Sequence, residues 1–175
     1  MKRLCFLAVA AACAGSASAA AVADEAQIER GKYLVTIAGC NDCHTPGYFL
    51  GKPDFSRTLG GSDVGFGVPG VGTFVGANLT PDKETGLGGW TDDQIIAAFT
   101  KGMRPDGRKL APMMPYESLS HLSQDDAHAI VAYLRSLPAV KHAVPGPFGP
   151  KEVPSTLVMT IIPGGAYAKL PPPPQ

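Results

Sequence analysis

The chain has 175 residues, 15 of them basic and 15 acidic, with 45% hydrophobic and 17% charged residues. Its 21 glycines and 17 prolines leave room for one modest core with long loops, without reaching a low-complexity composition. Balanced charge excludes a protein that works by neutralising many phosphates, so no nucleic-acid partner is expected, and four cysteines are too few for a disulfide-dense scaffold.

The chain opens on Lys2 and Arg3, followed by an apolar run over residues 4–14 and small residues ending in Ala17-Ser18-Ala19. A positive start, a short apolar stretch and an A-x-A site predict a signal peptide over residues 1–19, with an alternative cut after Ala23. A membrane anchor needs about 20 apolar residues, more than this run supplies. Export to the periplasm is therefore expected, with no membrane span in the mature chain. Cys5 and Cys13 leave with the leader, and Cys40 and Cys43 remain as a pair three positions apart.

The first helix is predicted over residues 24–38, with Ile28, Leu34, Val35 and Ala38 on overlapping faces and Gly39 as its stop. Directly after it comes Cys40-Asn41-Asp42-Cys43-His44, a C-x-x-C-H sequence of the kind that attaches c-type haem. Two thiols at this spacing reach the two vinyl groups along one haem edge, and the next residue then lies beneath the iron, where an imidazole can bind it. Residues 60–76 hold seven glycines and read as irregular chain, as do the turn-rich residues 78–89. Within the first of these, residues 70–76 approximate a dinucleotide glycine fingerprint but lack its spacing and its helix.

A second helix opens at Thr91, whose hydroxyl can cap while Gln94 closes a capping box; Ile95, Ala98 and Phe99 face inward and Gly102 ends it. Lys101, Arg104, Arg108 and Lys109 then place four cations within nine residues, suited either to neutralising propionates or to steering an acidic partner, or simply to a solvated loop. The loop Pro112-Met113-Met114-Pro115-Tyr116 leads to a third helix, opened by Ser123. Its stripe is Ala127, Ile130, Val131, Leu134 and Leu137, and Pro138 closes it. From Pro138 onward ten prolines predict a tail that lies extended over the surface. The expected organisation is a haem domain over residues 24–140 and a Pro-rich tail over residues 141–175.

Other readings of the cysteine pair fit less well. A thioredoxin-like redox pair needs a βαβ setting, structural zinc needs four ligands, and a plain disulfide leaves His44 unexplained. Three modest helices also lack core, and a covalent haem supplies it. The sixth iron ligand is open at this level: Met103, Met113, Met114 and Met159 are candidates, His121, His128 and His142 read as surface groups, and physical argument does not separate Met113 from Met114.

The chain resembles a class I cytochrome c, and specifically a single haem domain of bacterial cytochrome c subunits that serve periplasmic dehydrogenases. The residues that carry this are Gly31-Lys32-Tyr33-Leu34, the pentapeptide 40–44, Ala77-Asn78-Leu79-Thr80-Pro81-Asp82 and Thr85-Gly86-Leu87-Gly88-Gly89-Trp90-Thr91. Met114-Pro115-Tyr116 and Ala132-Tyr133-Leu134-Arg135-Ser136-Leu137-Pro138 complete the set, which spans residues 26–140. Such subunits often carry three haems, whereas this chain has one C-x-x-C-H.

The resemblance implies an all-α class I cytochrome c fold of three to five helices, with long Gly/Pro-rich loops around one haem c bound through Cys40 and Cys43. It implies His44 and Met114 as iron ligands, with Asn78 and Trp90 lining the haem pocket or meeting its propionates. The expected function is single-electron transfer from a periplasmic dehydrogenase to an oxidase or another cytochrome, with no catalytic residue of its own. The alternative is a haem enzyme or gas sensor with an open sixth iron position. Oligomeric state is not legible in the sequence.

Overall fold

The computed structural model describes residues 14–171, with side chains described from residue 25 onward. Most of the expected leader, residues 1–13, lies outside the described residues. Among the described residues six α-helices run in the order α1 (Ala14–Ile37), α2 (Cys40–His44), α3 (Asp92–Lys101), α4 (Tyr116–Leu119), α5 (Gln124–Ser136) and α6 (Gly164–Tyr167). Three strands, β1 (Val64–Val68), β2 (Gly72–Val75) and β3 (Leu157–Thr160), form one sheet in the order β2-β1-β3. Among the described residues no helix is long and apolar enough to cross a membrane.

The long helices form where the apolar stripes and caps predict them. Thr91 and Gln94 make the reciprocal capping box of α3, and Gly102 closes that helix in a left-handed conformation. The Ser123 side chain accepts from Asp126 N at 3.1 Å and starts α5. The first helix begins earlier than its stripe predicts, because the alanine-rich residues before Asp24 favour helix.

The core lies where α1, α3 and α5 meet. Leu34 and Val35 come from α1, Ile95 and Phe99 from α3, and Ala127, Ala129, Ile130, Val131 and Leu134 from α5; Leu59 and Leu87 enter from loops. Gly31 lets α1 approach α5 closely: a Cβ there would sit 1.9 Å from Ala129 O and 2.8 Å from Tyr133 Cβ. Arg30 pairs with Asp126 at 2.8 Å beside the same crossing.

The sheet corrects the all-α expectation. Residues 60–76 fold into an antiparallel hairpin, pairing Phe66 with Phe74, and β3 from the Pro-rich tail adds in parallel, pairing Phe66 with Met159. Val64, Phe66 and Val68 alternate at the strand period, but the glycines between them have low strand propensity. The third strand comes from some 90 positions further along the chain, a distance no local pattern spans. The tail is likewise more than a surface coil. Residues 140–142 pack onto the loops around residues 60 and 78–85, and Phe148 bridges Thr73.

Candidate functional site

Cys40, Cys43 and His44 share one helical turn, α2, set between Gly39 at φ 65° and extended Thr45. Thr45 is 1% exposed and fastens the turn: its hydroxyl donates to Asn41 Oδ1 at 2.9 Å and accepts from Leu59 N at 3.0 Å. Gly76 crosses immediately beside the turn, where a Cβ would lie 1.7 Å from Cys43 O. Only a glycine permits that approach, so the chain leaving β2 forms one wall of the pentapeptide.

Both cysteines are free thiols and half-buried, and Cys40 packs against the helical core. Burial pushes the Cys40 thiol up to about 11, and burial likewise raises Cys43, with Asp42 adding to both. Both sulfurs are therefore protonated near neutral pH. A disulfide-exchange pair depends on a lowered thiol pKa, so this environment opposes the redox-pair reading. Among the described residues no group of three or more His, Cys, Asp or Glu side chains is arranged to hold a bare metal ion, the arrangement structural zinc would need.

His44 is buried and its ring is oriented. Nδ1 lies 2.7 Å from Ala77 O, and a carbonyl only accepts, so Nδ1 carries the proton and Nε2 the lone pair. Desolvation lowers the His44 pKa, against the opposing pull of that carbonyl, and keeps the ring neutral. The backbone is held too, since Gly61 N donates to His44 O at 2.8 Å. Two protonated thiols on one turn and a neutral imidazole with a fixed tautomer are the donor set that covalent haem requires. The thiols can add across vinyl groups, and Nε2 can ligate iron.

Met114 sits in a tight turn, its N–H donating to Ala111 O at 3.0 Å and its carbonyl accepting from Tyr116 N at 2.8 Å. It is half-buried and packs against the helical core, whereas Met113 is 37% exposed. Met103 bridges Lys109 in the short hairpin that precedes this turn, and Met159 is exposed on β3. His121 and His128 are exposed. His142 departs from the surface role expected of it: it is half-buried, with Nδ1 2.7 Å from Gly60 O.

Asn78 is 2% exposed, and its amide is fully engaged within the protein. Nδ2 donates to Thr85 Oγ1 at 3.1 Å and to Val140 O at 2.7 Å, while Oδ1 accepts from Thr80 N and Thr80 Oγ1 at 3.0 and 2.7 Å. Trp90 is half-buried against the core, with the Arg104 guanidinium 4.8 Å from its ring centroid. Arg135 fastens the same loop from α5, bonding Trp90 O, Leu87 O and Asp92. Cys40, Trp90 and Met114 thus border one helical core, while His44 is held by the loops around residues 61 and 77.

Sequence reasoning missed the partners that act through backbone atoms: Ala77 O, Gly61 N and the crossing at Gly76. Ala77 and Gly76 flank or begin a recognisable motif, yet nothing in residue type announces which carbonyl will face a histidine.

The cytochrome c family profile matches residues 28–138. The chain is 38% identical over 111 residues to the cytochrome c subunit of an alcohol dehydrogenase (quinone) from Gluconobacter oxydans, covering 63% of this chain and 21% of that protein. It is 33% identical over 134 residues to the fructose dehydrogenase cytochrome subunit of Gluconobacter japonicus, covering 73% and 26%. It is 34% identical over 126 residues to the gluconate 2-dehydrogenase cytochrome c subunit of Pantoea cypripedii, covering 68% and 26%. The chain spans about a quarter of the length of these curated relatives.

Proposed function

The chain belongs to the cytochrome c family, and on that footing we propose that residues 24–140 form a monohaem electron carrier exported to the periplasm behind a signal peptide over residues 1–19. Haem c, when bound, supplies one-electron iron chemistry. Cys40 and Cys43 would hold it by two thioethers, the addition of each thiol across a vinyl group requiring no oxidant. His44 Nε2 and Met114 Sδ would be the residues that ligate its iron.

The observation that carries this reading is the His44 ring, buried and neutral, with Nδ1 donating to Ala77 O and the lone pair left on Nε2. Half-burial of Met114 against the helical core, next to the more exposed Met113, supports the choice of thioether. Ligation by a soft thioether and an imidazole would favour the reduced iron, which suits acceptance of electrons from a dehydrogenase. The relatives, named as cytochrome subunits of dehydrogenases, support a periplasmic dehydrogenase as donor and an oxidase or another cytochrome as acceptor.

Production of the full chain in a host that attaches c-type haem tests this directly. One haem per chain should survive denaturing electrophoresis, and Cys40→Ser with Cys43→Ser should abolish that retention. An intact double variant that still retains covalent haem would refute the attachment.

A further inference from the structure

The tail meets the core in a way that a surface strap does not require. His44 is gripped at two points, its ring by Ala77 O at 2.7 Å and its backbone carbonyl by Gly61 N at 2.8 Å. The residue next to each grip is tied to the start of the tail. Asn78, beside Ala77, donates to Val140 O at 2.7 Å; Gly60, beside Gly61, accepts from His142 Nδ1 at 2.7 Å. Thr80 and Thr85 close the same junction, accepting from Val140 N and His142 N at 3.0 Å each. Packing is tight: a Cβ on Gly61 would meet Val144 Cγ2 at 2.3 Å and His142 Nδ1 at 3.3 Å.

From this double clamp we propose that Asn78 and His142 are positioning residues for His44, and that residues 140–142 thereby tune the iron's reduction potential. The inference rests on His44 being the axial ligand. An imidazole whose second nitrogen donates to a well-placed carbonyl is a stronger ligand, and loss of such an outer partner commonly costs about 10–100-fold in metal affinity or activity. Loosening either tie lets the Ala77 or Gly61 segment drift. The His44 hydrogen bond then weakens, the ring donates less to iron, and the oxidised form is stabilised less.

The test compares Asn78→Ala, His142→Ala, His142→Gln and Lys141→Ala in the full haem-loaded chain. Lys141 lies on the same stretch, but among the described residues its side chain pairs with exposed Glu84, at 2.7 Å. Asn78→Ala and His142→Ala should retain covalent haem and shift the electron-exchange equilibrium with a reference carrier toward the reduced state by about tenfold. Hydrogen exchange at the Gly61 amide should quicken in His142→Ala. His142→Gln, which can still donate, should recover part of both effects, and Lys141→Ala should change neither. Folded, haem-bearing His142→Ala with an equilibrium within about twofold of the parent would overturn the proposal, even if its thermal stability fell. Because the His142 side chain bonds Gly60 O and not Asn78, which meets only its backbone, His142→Ala decides the matter if Asn78→Ala fails to fold. Absence of covalent haem in the parent chain would instead overturn the electron-carrier reading on which this one stands.

Discussion

At His44 a single proton divides the work of the ring. Placed on Nδ1 by the Ala77 carbonyl, it leaves a lone pair on Nε2, and burial lowers the ring's pKa. Met114 differs from its neighbour in the same way that matters for a ligand, being held in a turn against the core while Met113 is 37% exposed. Met114→Ala should therefore remove the sulfur-to-iron charge-transfer band of the oxidised protein and let the reduced protein bind carbon monoxide, with Met113→Ala changing neither. Optical spectra check both, and carbon monoxide binding by the unmodified native protein would favour the open-site alternative.

Asp126 offers a second test at this scale. Its hydrogen bonds to Arg30 hold its carboxyl below the ordinary value of 3.8. A depressed folded pKa means that its contribution is fully present above the unfolded value and is lost as pH falls through the folded one. Asp126→Asn should thus lower stability at pH 7, with the difference from the parent vanishing in strong acid. Denaturant unfolding at both pH values measures it.

Among the elements, the crossing of α1 and α5 carries the core, and its geometry depends on the absence of a side chain at Gly31. Adding one methyl group where Ala129 O would lie 1.9 Å away must push the helices apart. Gly31→Ala should cost about 1–3 kcal/mol in denaturant unfolding, as overpacking of a tight interface does. The loop before α3 is secured differently, by Arg135 reaching across from α5 to two backbone carbonyls and Asp92. That arrangement joins the Trp90 loop to the same helix that packs on α1.

For the molecule as a whole, the cations from the end of α3 onward are distributed by role. Arg104 lies over Trp90 and pairs with Asp106 at 3.4 Å, while Lys101, Arg108 and Lys109 are exposed. The three exposed cations are the ones available to steer an acidic partner, since long-range attraction acts through solvent and is screened by salt. Lys101→Glu with Lys109→Glu should slow electron transfer with an acidic partner several-fold at low ionic strength and flatten its salt dependence. Stopped-flow rates across a salt series test this, and unchanged rates would remove the docking role.

The amino-acid sequence by itself determined the parts whose cause is local. The one helical turn that holds Cys40, Cys43 and His44 joins three residues close together in the sequence. The stripes of α3 and α5 and the caps at Thr91 and Ser123 follow from side chains within one or two turns of one another. Only the tertiary structure decided what depends on distant backbone. It chose which carbonyl orients His44, joined β3 to β1 across some 90 residues, and turned residues 140–142 from a surface strap into the partner of Asn78. A side chain declares its donors and acceptors in the sequence. Every residue but proline carries the same peptide donor and acceptor, so which of them meet is settled by the path of the chain alone.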